Sequence, residues 1–161
     1  MKPCNTLVYV LALICGVAQG SEQTIVGTFV RAKDGDTFVM LDADNVQHTI
    51  RLKGVDTPEK KQPFAIEAKR ALERRLSGKS ITVKWKSVSW QKRKVGDVFD
   101  GEDWINLKLV EEGLAWQDRR YSKSTLIRDA QRKATGEGRG LWSEADPVPP
   151  WEFRSSRKSA H

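Results

Sequence analysis

The chain has 161 residues, a formal charge of +7, two cysteines and two histidines. That length supports one domain with a modest core, and the basic balance favours polyanions, chiefly nucleic acid, as partners. Cys4 and Cys15 both fall within the first twenty residues, so the rest of the chain can form neither a disulfide nor a thiolate metal centre, and His48 and His161 cannot make a histidine-built one.

Residues 1–20 read as a secretory signal peptide. Lys2 supplies a short positive start, Leu7 to Ala18 is an apolar run too short to span a membrane, and Ala18-Gln19-Gly20 puts small residues where a signal peptidase cuts, before Ser21. Cleavage there removes one lysine and no acid, leaving a charge of +6 over 141 residues. The expected location is the periplasm or the medium, with no membrane contact after cleavage.

The next part reads as strands. Thr24 to Arg31 is rich in β-branched residues, Asp34-Gly35 signals a turn, and Thr37 to Leu41 resumes strand character. After a second turn at Asp42–Asn45, Val46, His48, Ile50 and Leu52 alternate with polar residues. Asp56 to Pro63 is a polar loop. Phe64, Ala68, Leu72 and Leu76 then recur at four-residue spacing, which predicts a helix with Pro63 in its first turn and Gly78 at its end. Ser80 to Trp85 and Val95 to Phe99 are further strands. Helices are predicted over Ile105 to Glu112 and Ser124 to Thr135. Five strands, with a helix between the third and fourth, predict an α+β fold: a five-stranded OB-fold β-barrel with three helices. The division is residues 21–145 as the folded domain and 146–161 as an irregular, proline-containing basic tail.

Two acidic runs stand out on this basic background: Asp34-Gly35-Asp36-Thr37, and Asp56-Thr57-Pro58-Glu59 with Arg51 shortly before it. Taken singly, each has an ordinary reading. Asp-Gly is a hairpin turn, Asp56-x-x-Glu59 resembles a helix capping box, and a strand arginine is commonly a solvated charge. Pro63 argues against the capping box, because it would interrupt a helix begun at Thr57. Taken together, Asp36 opens one strand and Asp56 follows another, so a tight meander can bring them to one end of the sheet. Two carboxylates with a backbone carbonyl and waters suit Ca²⁺, and Mg²⁺ or Mn²⁺ accept the same oxygens.

On these residues the sequence resembles the staphylococcal nuclease (thermonuclease) family. The matching runs are Asp34-Gly35-Asp36-Thr37, Thr49-Ile50-Arg51-Leu52, Val55-Asp56-Thr57-Pro58-Glu59, Gln62-Pro63-Phe64, Asp100-Gly101, Asn106, Gly113-Leu114-Ala115-Trp116 and Gly140-Leu141-Trp142, across roughly Ile25 to Trp151. The resemblance implies an OB-fold endonuclease that cleaves DNA and RNA with Ca²⁺ and leaves 3′-phosphate ends. It implies metal binding by Asp36, Asp56 and the Thr57 carbonyl, phosphate binding by Arg51, water activation by Glu59, and a second arginine at Arg93 facing the leaving group. Ser89-Trp90-Gln91-Lys92-Arg93 departs from the family's Asp-Arg-Tyr-Gly-Arg, and Lys92 in place of the glycine puts the tight turn in question. A catalytically impaired nucleic-acid-binding protein on the same fold is therefore the alternative reading. Of six tryptophans, most are expected to pack, whereas Trp90 and, beside Arg119-Arg120, Tyr121 are candidates to stack on a base. A monomer without a stable protein partner is expected.

Overall fold

Alternating apolar positions on five strands close a barrel in the computed structural model, which describes residues 21–158. The signal-peptide reading of residues 1–20 and His161 lie outside the described residues. In chain order the elements are β1 (Gln23–Ala32), β2 (Thr37–Asp42), β3 (Gln47–Leu52), β4 (Val55–Asp56), α1 (Ala65–Leu76), β5 (Ser80–Val88), β6 (Lys94–Asp100), β7 (Asp103–Trp104), α2 (Ile105–Glu111), β8 (Trp116–Gln117) and α3 (Thr125–Gly136). A 3₁₀ turn (Gly140–Ser143) and α4 (Pro150–Lys158) complete them.

β1 pairs antiparallel with both β2 and β5, β2 pairs with β3, β5 with β6, and a parallel β3–β6 contact seals the barrel. This is the OB-fold architecture expected. Register shifts between Phe29 and Arg31 in β1, and between Trp85 and Ser87 in β5, mark bulges that bend the long strands enough to close. The period-2 pattern puts Phe38 and Met40, Ile50 and Leu52, and Ile81 and Val83 inside, all at most 1% exposed. α1 adds Ala68, Ala71, Leu72 and Leu76, and α2 adds Ile105, Leu109 and Val110.

Asn106 of α2 is fully buried and ties the sheet to the loop after β3. Its Oδ1 accepts from the Val98 N–H at 2.9 Å, and its Nδ2 donates to the carbonyls of Lys53 (3.0 Å) and Gly96 (3.3 Å). Buried backbone groups need such partners, and this side chain holds the β3–β4 turn together with the Lys53 N–H on the Gly96 carbonyl at 2.8 Å.

Two expectations change. Four α-helices form among the described residues, not three, because the segment expected to be an irregular tail carries α4. Pro150 is its first residue, where a missing N–H is harmless and a fixed φ helps. Glu152 in the first turn and Arg157 and Lys158 in the last complement the helix dipole. What seats it is aromatic: Trp151 meets Trp116 edge-on at 5.9 Å, and Trp116 meets Trp142 at 4.3 Å. Likewise Pro63 lies outside the helix it was expected to start; Phe64 at φ 63 breaks the chain into the left-handed region, and α1 begins at Ala65.

Candidate active site

β2 and β3 run antiparallel with Thr37 opposite Arg51, so Asp36, just before β2, lies beside the end of β3. The Leu52 N–H donates to the Asp36 carbonyl at 2.8 Å, which locks this corner. The chain then turns through Gly54, at φ 71, and β4 brings Asp56 back over the same end of the barrel, held by pairing with Trp116 of β8. Two short connections, between β2 and β3 and between β3 and β4, thus converge two carboxylates that are twenty residues apart in sequence.

The convergence is tight. Asp36 and Asp56 are 2% and 1% exposed. Arg51 spans them, with Nη1 on Asp36 Oδ1 and Nη2 on Asp56 Oδ1 at 2.8 Å. Asp36 Oδ2 accepts from both the Thr57 N–H (2.9 Å) and the Thr57 hydroxyl (3.0 Å), and Thr37 Oγ1 donates to Oδ1 at 3.1 Å. Buried carboxylates are stable only with such charge and hydrogen-bond compensation. Asp34 does not join them directly; its Oδ1 accepts from the Asp36 N–H at 3.1 Å and shapes the turn. Gly35 is required here for space. A Cβ would sit 2.7 Å from Ala68 Cβ and 2.8 Å from Thr57 Oγ1. Gly35→Ala is therefore expected to push Thr57 off Asp36 and to cost about 1–3 kcal/mol of stability, read by urea denaturation.

Glu59 follows in the loop, not in a capping box: Asp56 belongs to β4, and the Glu59 N–H donates to Gln62 Oε1 at 2.9 Å. Arg93 leads into β6. The turn before it survives the loss of glycine because Lys92 itself adopts φ 58, with the Lys92 N–H on the Ser89 carbonyl and the Ser89 N–H on the Arg93 carbonyl, both 2.8 Å. Burial, followed by repulsion from Arg51, lowers the Arg93 pKa from its ordinary value, while Asp34 and Asp56 oppose the shift. Arg93 bonds to Ser89 Oγ through its backbone N–H at 3.2 Å, and among the described residues it forms no ion pair with Asp36 or Asp56.

Residues 49–144 match the family described as staphylococcal nuclease homologue. The chain is 36% identical over 130 residues to an uncharacterized endonuclease of Escherichia coli O157:H7, covering 80% of this chain and 84% of that one. The chain belongs to the staphylococcal nuclease family. A Haemophilus influenzae uncharacterized endonuclease is 32% identical over 129 residues, 80% of this chain and 72% of that one. A probable staphylococcal-like nuclease of Oryza sativa subsp. japonica is 31% identical over 114 residues, and there the chain spans 71% of itself but only 30% of the plant protein.

In this member of the staphylococcal nuclease family, the donor set suits a hard divalent cation. The side-chain donors are oxygen only, and the two carboxylates lie within the span of one guanidinium, close enough to share one small ion. Among the described residues no group of three acidic, histidine or cysteine side chains forms a closed metal cage. Such an ion would draw its remaining ligands from backbone carbonyl, such as that of Thr57, and water.

Two residues escaped the sequence reading. Arg154 of α4 forks onto Asp56, Nη2 to Oδ2 at 2.7 Å and Nη1 to Oδ1 at 3.3 Å, and its Nη1 also reaches Glu59 Oε1 at 2.6 Å. Hydrogen bonding to Asp56, then to Glu59, raises its pKa against the opposing effect of burial. Asp118, 5% exposed, is a second. Burial disfavours its charge, but the Arg120 fork at 3.0 and 2.8 Å outweighs this and holds the carboxyl below its usual range. Arg120 in turn lies over Trp151 at 5.7 Å, helping to seat α4. The tail's prolines and basic residues read as irregular, and nothing local pointed Arg154 at Asp56. Trp90 and Tyr121 are 89% and 71% exposed, and His48 is structural, bonded to Asp42 Oδ2 (2.7 Å) and Lys94 Nζ (3.1 Å).

Proposed function

We propose that the mature chain is an exported, Ca²⁺-dependent, sugar-nonspecific endonuclease that hydrolyses DNA and RNA phosphodiesters and leaves 3′-phosphate ends. The observation that supports this reading most is the buried Asp36–Arg51–Asp56 cluster, with Glu59 at its margin. Asp36, Asp56 and the Thr57 carbonyl would hold Ca²⁺, which supplies charge neutralisation at the non-bridging phosphate oxygens.

The protein's own groups do the rest. Arg51 offers its guanidinium fork to the oxygens of the scissile phosphate. Glu59 aligns an attacking water and accepts its proton as the oxygen bonds to phosphorus. The P–O5′ bond breaks in line, the phosphate stays on the 3′ side, and Arg93 stabilises the charge developing on the departing oxygen. Trp90 and Tyr121 offer exposed rings to neighbouring bases, a contact that tolerates any sequence. The retained turn at Lys92 favours this reading over the impaired binding protein.

The test uses exported protein, whose first residue by mass is expected to be Ser21. With CaCl₂ it is expected to degrade single-stranded DNA and RNA to fragments ending in 3′-phosphate, and to stop with EGTA. Calcium-loaded, folded protein that binds DNA in a salt-sensitive way without cutting it would sink the proposal and leave the binding protein standing.

A further inference from the structure

We propose that Arg154 is a resident counter-cation of the site, which a divalent ion must displace from Asp56, so that α4 sets the protein's affinity for that ion. The inference rests on the metal-binding reading of Asp36 and Asp56 given above.

Arg154 lies outside residues 49–144, the stretch matched to the family. Its fork engages both oxygens of Asp56, and Arg51 takes Oδ1 as well. Asp56 is 1% exposed, so few directions of approach to its carboxylate remain. A divalent cation ligated by Asp56 would meet the guanidinium at close range and of like sign. Arg154 and the ion therefore exclude one another at this carboxylate.

The rest of α4 is seated so that the arginine can yield. Trp151 and Arg154, three residues apart, share a helix face. Trp151 is anchored on Trp116 and under Arg120, and Pro150 is buried. Arg154 itself is 40% exposed at its side chain, so it can swing into solvent while the anchors hold. The tail and the Glu59 loop are also one hydrogen-bonded path: Gln62 accepts from the Glu59 N–H and donates to the Val148 carbonyl at 2.8 Å. Displacing Arg154 frees Glu59 Oε1 at the same moment as Asp56, which couples ion entry to release of the group proposed to take the water's proton.

Calcium titration by calorimetry of the full mature chain, without nucleic acid, tests this. Arg154→Gln is expected to bind Ca²⁺ about tenfold more tightly than the wild type, the worth of one partly exposed charge-assisted pair. Arg154→Lys keeps the charge but not the fork and is expected to fall between the two. Equal or weaker binding in a folded Gln variant, or in the Lys variant if the Gln variant does not fold, overturns the proposal. Asp36→Asn is expected to abolish binding in both backgrounds. If it binds Ca²⁺ as the wild type does, the metal-site reading itself fails, and the two failures are told apart.

Discussion

Arg51→Met is expected to lower nucleolytic turnover by at least about 10²-fold and to cost the fold about 3–5 kcal/mol. The stability loss arises because Asp36 and Asp56 stay buried, at 2% and 1% exposure, while the group bridging them is gone. Thr57 still serves Asp36 Oδ2 and Arg154 still serves Asp56, but Asp36 Oδ1 keeps only the Thr37 hydroxyl. A divalent ion supplies positive charge at the same carboxylates, so Ca²⁺ should restore much of the stability and none of the turnover. Urea denaturation with and without Ca²⁺, beside single-turnover cleavage, separates the two effects. A variant as stable as the wild type without Ca²⁺ would contradict the ion-paired cluster.

Glu59→Gln is expected to reduce kcat by about 10²–10⁴-fold, with little change in KM or in stability. Its side chain is 37% exposed, and the bond that shapes its loop is made by its backbone N–H to Gln62, which the substitution leaves in place. A glutamine oxygen can still accept from Arg154, so the loop keeps that contact too. What is lost is a carboxylate able to take a proton. Full activity in this variant would mean that the water is activated elsewhere.

The contrast between these two residues and Arg154 shows where sequence reading was strong. Arg51, Asp56, Thr57 and Glu59 lie within nine positions of one another, at the end of an alternating strand and in the polar stretch after it, and Asp36 opens the strand paired with it. Such local regularity survives folding because strand pairing with short turns leaves few other arrangements. Arg154 is separated from Asp56 by 98 residues, and its segment reads as prolines and basic side chains. The packing of Trp151 on Trp116 and under Arg120 seats the helix that this segment forms. Lys92 is the converse case: the missing glycine suggested a lost turn, yet the hairpin between β5 and β6 imposes φ 58 on a lysine. Tertiary constraint there outweighs the modest cost of a left-handed non-glycine residue.

The amino-acid sequence by itself determined the barrel, the two acidic runs and their meeting at one end of the sheet, because period-2 burial and tight turns are local properties that add up. Tertiary structure alone decided how that meeting is stabilised. It buried both carboxylates, spread Arg51 between them, welded Thr57 to Asp36, and delivered a second guanidinium from α4 to Asp56 and Glu59. Charge compensation inside a protein depends on which groups lose water together, and that is fixed by contacts between segments far apart in the chain.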